Sequence, residues 1–267
     1  MLKSASAQRV IAVAKNTFRE AIRNRAFVGL TCFAVAFILF SLILSELTVV
    51  GQGPRVVLDF GLYAISLFAA ATAILMGTLM VYKELEKKTI YTILSKPIRR
   101  YEFLLGKYLG MVGILAMELI VLGLIWGLVL WMQGAHFGIE HIKALVLISF
   151  EASLVTAVGV MFSSQSTPAL TGLFTLGVFV VGRIVYVLEE MLQGTKGLFV
   201  DNPFARLFGE SVTTLFPDLS VFNVSQQLLL EVPISWAYMA QAGLYALSYG
   251  VIVIAIGILA FERRDFV

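Results

Sequence analysis

Charge is scarce in this chain. Asp, Glu, Lys and Arg make up 14% of its 267 residues, against roughly 25% in soluble domains. One cysteine, Cys32, lies inside an apolar run with no intrachain partner, so a disulfide scaffold is excluded. That position reads as a core residue. Proline is also sparse, at 6 residues, which leaves long stretches free to stay helical. What fills the space is apolar: 59% of the residues are hydrophobic. A soluble protein of this length could not bury that much, which excludes a cytosolic enzyme and a disordered chain.

Six apolar runs reach the roughly 20 residues a helix needs to cross a bilayer. They are 27–44 (extendable to Leu47), 60–81, 107–131, 142–162, 169–188 and 237–261. None alternates with period two, so a transmembrane barrel is not expected. The first run follows a basic polar stretch of 26 residues and precedes no small-x-small cleavage site; it is expected to remain as an anchor.

Basic residues divide unevenly between the loops. Fifteen lie in the N-terminal stretch, the loop between spans two and three, and the tail. Four lie on the other side: Arg55, Lys143, Lys196 and Arg206. By the positive-inside rule this places both termini in the cytoplasm, as an even number of spans requires. The expected fold is all-α and integral to the membrane, one transmembrane domain over residues 1–267.

Three segments outside the spans carry pattern. In 1–26, Ile11, Ala14, Phe18 and Ile22 recur at helical spacing beside Arg9, Arg19 and Arg23. That is an amphipathic, interfacial helix on the cytoplasmic surface. Residues 189–235 are too many for a plain connection and hold apolar patches below span length. They read as outer re-entrant or interfacial helices before the last span. The third segment, 83–106, is a cytoplasmic loop. Glu84 and Glu86 suit the positive end of a short helix, and Ile90, Ile93 and Leu94 make one apolar face. Pro97 stops that helix, and the chain turns through Arg99 and Arg100 into span three. A charged, partly apolar knob of this kind suits docking to a soluble partner.

Here the sequence resembles the membrane permease subunits of type-2 ATP-binding-cassette (ABC) exporters. The matching residues are Glu84, Glu86, Thr89, Leu94, Pro97, Arg100, Phe103 and Gly106-Lys107. Phe18-Arg19-Glu20 with Arg23 and the run Pro217 to Asn223 are similar to further family elements, and Lys88 departs from the Gly common at its place. The resemblance implies that 83–106 is a coupling helix docking on a separate ATPase subunit. It also implies a second permease copy or paralogue, and a prokaryotic inner (plasma) membrane. ATP and Mg would sit on the ATPase, with no cofactor on this chain and no nucleic acid as partner.

The chain has no phosphate-binding loop of its own: its single Gly-Lys, at 106–107, is followed by Tyr108 and has Tyr101 where the first Gly belongs. Two other classes compete with a permease. A membrane-embedded enzyme would need a catalytic motif, yet His136, Glu140 and His141 are off the zinc spacing. Glu189-Glu190 also lacks the Arg of intramembrane prenyl-protein proteases. A secondary carrier would use the charges inside spans three, four and five, Glu118, Glu151 and Arg183; the missing internal repeat argues against it. Those three charges are expected to face protein, with Arg183 pairing one carboxylate and the other protonated, hydrogen-bonded or beside a water-filled path.

Overall fold

The computed structural model describes residues 2–49, 51–86, 99–194 and 202–262, with the side chains of 2–5 and 80–86 left aside. Nine α-helices and one short 3₁₀ turn are found among them: α1 Leu2–Ile22, α2 Arg25–Glu46, α3 Gly53–Glu86, α4 Arg100–Met132, α5 Ile139–Ser163, α6 Pro168–Gln193, α7 Pro203–Leu215, the 3₁₀ turn Ser220–Phe222, α8 Ser225–Leu229 and α9 Trp236–Glu262. There is no strand among the described residues. Six helices are long and apolar enough to cross a membrane: α2, α3, α4, α5, α6 and α9. These are the six spans expected, each extended at its ends, by up to seven residues at the start of α3 and of α4.

Local chemistry sets the breaks. Asn24 separates α1 from α2: its backbone is extended, and its Oδ1 accepts the Ala26 N–H at 3.0 Å as an N-cap. Gly51 (φ 88°) and Gly134 (φ 74°) take left-handed backbone in the turns before α3 and after α4. Pro168 and Pro203 open α6 and α7, where a missing N–H costs nothing.

The bundle is centred on α3 and α5, whose span windows are 56% and 61% buried, against 22% for α2 and α6. They cross where Gly77 meets Gly159: a Cβ on either would lie 3.1 Å from the other's Cα. α2 and α4 pack on α3, and α9 packs mainly on α5. α2 buries only the narrow stripe Phe27, Ala34, Ile38, Ser41 and Ser45. Cys32 lies off that stripe and is exposed, so its reading as a core residue is corrected.

α3 and α4 have 34 and 33 residues, about 50 Å each at 1.5 Å per residue, against a hydrocarbon core of roughly 30 Å. Charges at the joined ends of the pair, Lys83, Glu84 and Glu86 on α3 with Arg100, Glu102 and Lys107 on α4, mark where much of the surplus lies. That end of the bundle also carries α1.

Candidate functional site

Two constellations use the scarce charge. The first is a polar knot at the α1 end, where the chain returns into α4. Glu102 sits in the first turn of α4 and is fully buried. One carboxylate oxygen accepts the Ser6 hydroxyl at 2.6 Å and an Arg9 Nη2 hydrogen at 2.9 Å. The other accepts the Arg99 N–H at 2.9 Å, closing the helix start as a cap. Five residues on, Lys107 is 1% exposed, with Glu20 of α1 at 3.5 Å and the Phe103 ring below it.

The backbone geometry makes this burial feasible. Gly106 and Gly110 bring α4 against α1, since a Cβ there would meet the Val10 and Ala14 carbonyl oxygens at 2.9 and 2.6 Å. On α1 the face turned to α4 is therefore Val10, Val13, Ala14 and Thr17. The expected stripe is split: Ile11 is 64% exposed and Ile22 38%, while Ala14 and Phe18 face α4. The reason is that small residues on α4 let α1 dock by a second face, leaving Ile11 and Ile22 as a separate strip beside the basic one.

The knot also reaches the last helix. Arg100 Nη1 donates to the Phe261 and Glu262 carbonyls at 3.1 and 3.0 Å, capping the end of α9 with a cation where the helix dipole favours one. The Phe103 and Phe261 rings stack at 6.3 Å. Thus Arg99 and Arg100 sit on the knot itself. Glu84 and Glu86 lie in the last turn of α3, continuous with the second span, where the first turn of a separate helix was expected. Thr89, Ile90, Ile93, Leu94 and Pro97 lie outside the described residues.

The second constellation lies inside the spans. Arg183 of α6 grips Glu151 of α5 through both carboxylate oxygens, Nε at 2.7 Å and Nη2 at 2.8 Å. Nη2 also donates to Ser66 of α3 at 2.6 Å, and the guanidinium lies 5.4 Å from the centre of the Phe179 ring. This two-pronged geometry is the strong form of the ion pair. The pairing expected of Arg183 is therefore with Glu151. Glu118 of α4 stands apart and is 1% exposed. Its Oε1 accepts hydroxyls from Thr72 of α3 at 3.0 Å and Thr31 of α2 at 3.3 Å, while Oε2 is buried with no hydrogen-bond partner. The carboxyl thus ties three spans through neutral donors, as the hydrogen-bonded alternative expected.

Beside Arg183 the segment before α9 folds back into the bundle. Gly182 accepts the Leu219 N–H at 3.0 Å, and a Cβ on Gly182 would lie 2.7 Å from the Pro217 carbonyl oxygen. Gly182 is eleven residues short of the end of α6, roughly 16 Å of helix, so 217–222 descends between the spans. Asp218 Oδ1 holds the turn by accepting from the Ser220 N–H and hydroxyl, and the Asp218 N–H donates to the Tyr245 hydroxyl of α9 at 2.8 Å. Phe222 to Ser225 then roof a small cleft with Tyr63, Ser66 and Arg183 in its wall.

Sequence reasoning missed Glu102, Lys107, Arg9 and the pair Glu140–Lys143. Lys143 is buried between Glu140 Oε1 at 2.8 Å and the Ile234 carbonyl at 2.6 Å, under the Trp236 ring. Glu102 three residues after Arg99 was a readable cap signal; Lys107 entered the sequence reading as a basic loop residue and in the Gly106-Lys107 pair, with no partner named. Among the described residues no group of three or more His, Cys, Asp or Glu could hold a metal.

No curated protein matches the chain. The family model described as "ABC-2 family transporter protein" matches residues 11–266, nearly all of the chain. The chain therefore belongs to the ABC-2 transporter family, as a membrane-spanning permease subunit of an ABC transporter.

Proposed function

We propose that this permease couples ATP hydrolysis on a separate ABC ATPase chain to export of a substrate across a prokaryotic inner membrane, and that it works with a second permease copy or paralogue. Family membership implies the ATPase partner. The observation that supports coupling through 83–106 is the knot at its exit. A push on the loop is delivered to Arg99, Arg100 and Glu102, and those residues are bonded to α1 and α9 as well as to α4. One displacement then moves three helices together instead of bending one. In this reading Glu84, Glu86 and Thr89 flank the docking surface, and Ile90, Ile93 and Leu94 fill a groove on the ATPase. Burial there contributes roughly 1.5–3 kcal/mol per side chain.

The basic residues support an orientation with both termini, α1 and the knot in the cytoplasm. Ile11 and Ile22 then enter the inner leaflet while Lys15, Arg19 and Arg23 meet its headgroups. Co-purification tests the docking surface. A tagged wild-type permease retains the ATPase subunit. The variant Ile93→Asp with Leu94→Asp inserts normally and loses it. Retention of the ATPase at the wild-type ratio by that variant would contradict the assignment.

A further inference from the structure

Tyr63 of α3 stands in the wall of two cavities. One is the small cleft roofed by Phe222 to Ser225, with Ser66 and Arg183 beside it. The other is an open groove along the first turns of α3, lined by Gln52, Arg55 and Asp59. Arg55, Asp59, Tyr63 and Ser66 follow at spacings of four, four and three, so one face of α3 carries polar groups from the end of the bundle opposite α1 down to Arg183. Two helices agree on the depth reached. Ser66 lies six residues past Phe60, where the apolar run begins, roughly 9 Å of helix. Arg183 lies fourteen residues above Ala169, roughly 21 Å, which leaves about 9 Å of a core of roughly 30 Å.

The guanidinium has a nitrogen to spare there. Nε and Nη2 serve Glu151 and Ser66, while Nη1 makes no hydrogen bond among the described residues and is not fully buried. A cationic nitrogen left against acyl chains is costly, so it calls for a polar neighbour. The cleft gives the centre of a water molecule about 20 Å³, where one water needs roughly 10–15 Å³ and two to four polar partners. A lipid headgroup or a sugar is too large. Partners line the wall. Asn223 Oδ1 is taken by the Ser225 N–H and hydroxyl, which leaves its amide hydrogens to donate. The Tyr63 and Ser66 oxygens can accept in return.

We infer that this cleft binds an ordered water on Arg183 Nη1, and that the groove past Tyr63 keeps it in exchange with bulk water at the membrane surface. The Arg183–Glu151 pair is then wet on one side. Its cation stands at the foot of a hydrated path, while Glu151, outside the cleft wall and 2% exposed, stays dry. The site is the same whichever way the chain crosses the membrane and whatever drives transport.

Hydroxyl radicals made from water by an X-ray pulse, in the intact complex in detergent, test this. Phe222 lines the cleft and is 1% exposed, while Phe27 of α2 is 4% exposed. Despite its deeper burial, Phe222 is oxidised at least about tenfold faster than Phe27, because a radical forms on the water beside it. Ser66→Leu fills the cleft from α3 and Asn223→Leu fills it from the roof; each brings Phe222 down to the rate of Phe27. If either variant fails to assemble, the other decides. In a sample mixed with heavy-oxygen water milliseconds before the pulse, the oxygen added to Phe222 is the heavy isotope. A wild-type Phe222 as slow as Phe27, an unchanged rate in an assembled filled variant, or unlabelled oxygen on Phe222 would each overturn the proposal.

Discussion

Arg183 and Glu151 meet through two hydrogen bonds of 2.7 and 2.8 Å, joining α6 to α5 within the spans. Glu151 is 2% exposed, so removing its cation leaves a charge with no water to take it up. Arg183→Leu should destabilise the permease by roughly 3–5 kcal/mol, the usual result of orphaning a buried ion. Adding Glu151→Leu should recover part of that loss. Thermal unfolding of the three variants in detergent checks this; a double variant no more stable than Arg183→Leu would contradict it.

Glu118 should behave in the opposite way. Its Oε1 is the shared acceptor for Thr31 and Thr72, and no cation faces it among the described residues. Glu118→Gln keeps that acceptor and should change stability by less than about 1 kcal/mol, whereas Glu118→Leu takes the acceptor from the buried Thr72 hydroxyl at about 1–3 kcal/mol, the Thr31 hydroxyl keeping the Phe27 carbonyl. The same melting assay decides; equal losses for Gln and Leu would mean the carboxylate charge is what matters.

The seat of α1 depends on a missing Cβ. Gly110→Ala puts a methyl 2.6 Å from the Ala14 carbonyl oxygen, which is backbone and cannot rotate away. Overpacking of this kind costs about 1–3 kcal/mol and should lift α1 from α4. Trypsin should then cut at Lys15 and Arg19 faster than in the wild type. An unchanged cleavage rate would show that the ion pairs alone hold the helix.

These contacts mark the limit of what the chain's pattern discloses. The six spans were legible because their length and apolarity are set by the bilayer, whatever packs beside them. A carboxylate partner for Arg183 was legible because a charge inside a span has to face another group, but Glu118 and Glu151 lie at similar depths along their helices, so the choice between them was not. The docking face of α1 was not. Periodicity ranks Ile11 and Ile22 above Thr17, yet Thr17 is the fully buried residue, because Gly106 and Gly110 on a distant helix decide which face can approach. The Gly182–Leu219 bond was equally hidden, since a re-entrant turn depends on a gap in another helix. Glu102 was passed over because a carboxylate in a basic loop reads as surface until its partners are placed.

Topology follows from the basic residues and has its own test. Cys32 is the sole cysteine, so a Cys32→Ser background is blank for labelling. A cysteine replacing Lys196 should react with a membrane-impermeant thiol reagent in intact cells, and one replacing Lys15 only after lysis. The reverse pattern would invert the orientation.

The central claim is that the loop between α3 and α4 meets the ATPase, and a cross-link tests it most directly. In the Cys32→Ser background, a cysteine at Leu94 carrying a photoactivated cross-linker should form, in the assembled complex, one adduct with the combined mass of permease and ATPase subunit. A cysteine at Lys196 should give none. Cross-linking from Lys196 but not from Leu94, in a complex that still holds its ATPase, would contradict the account.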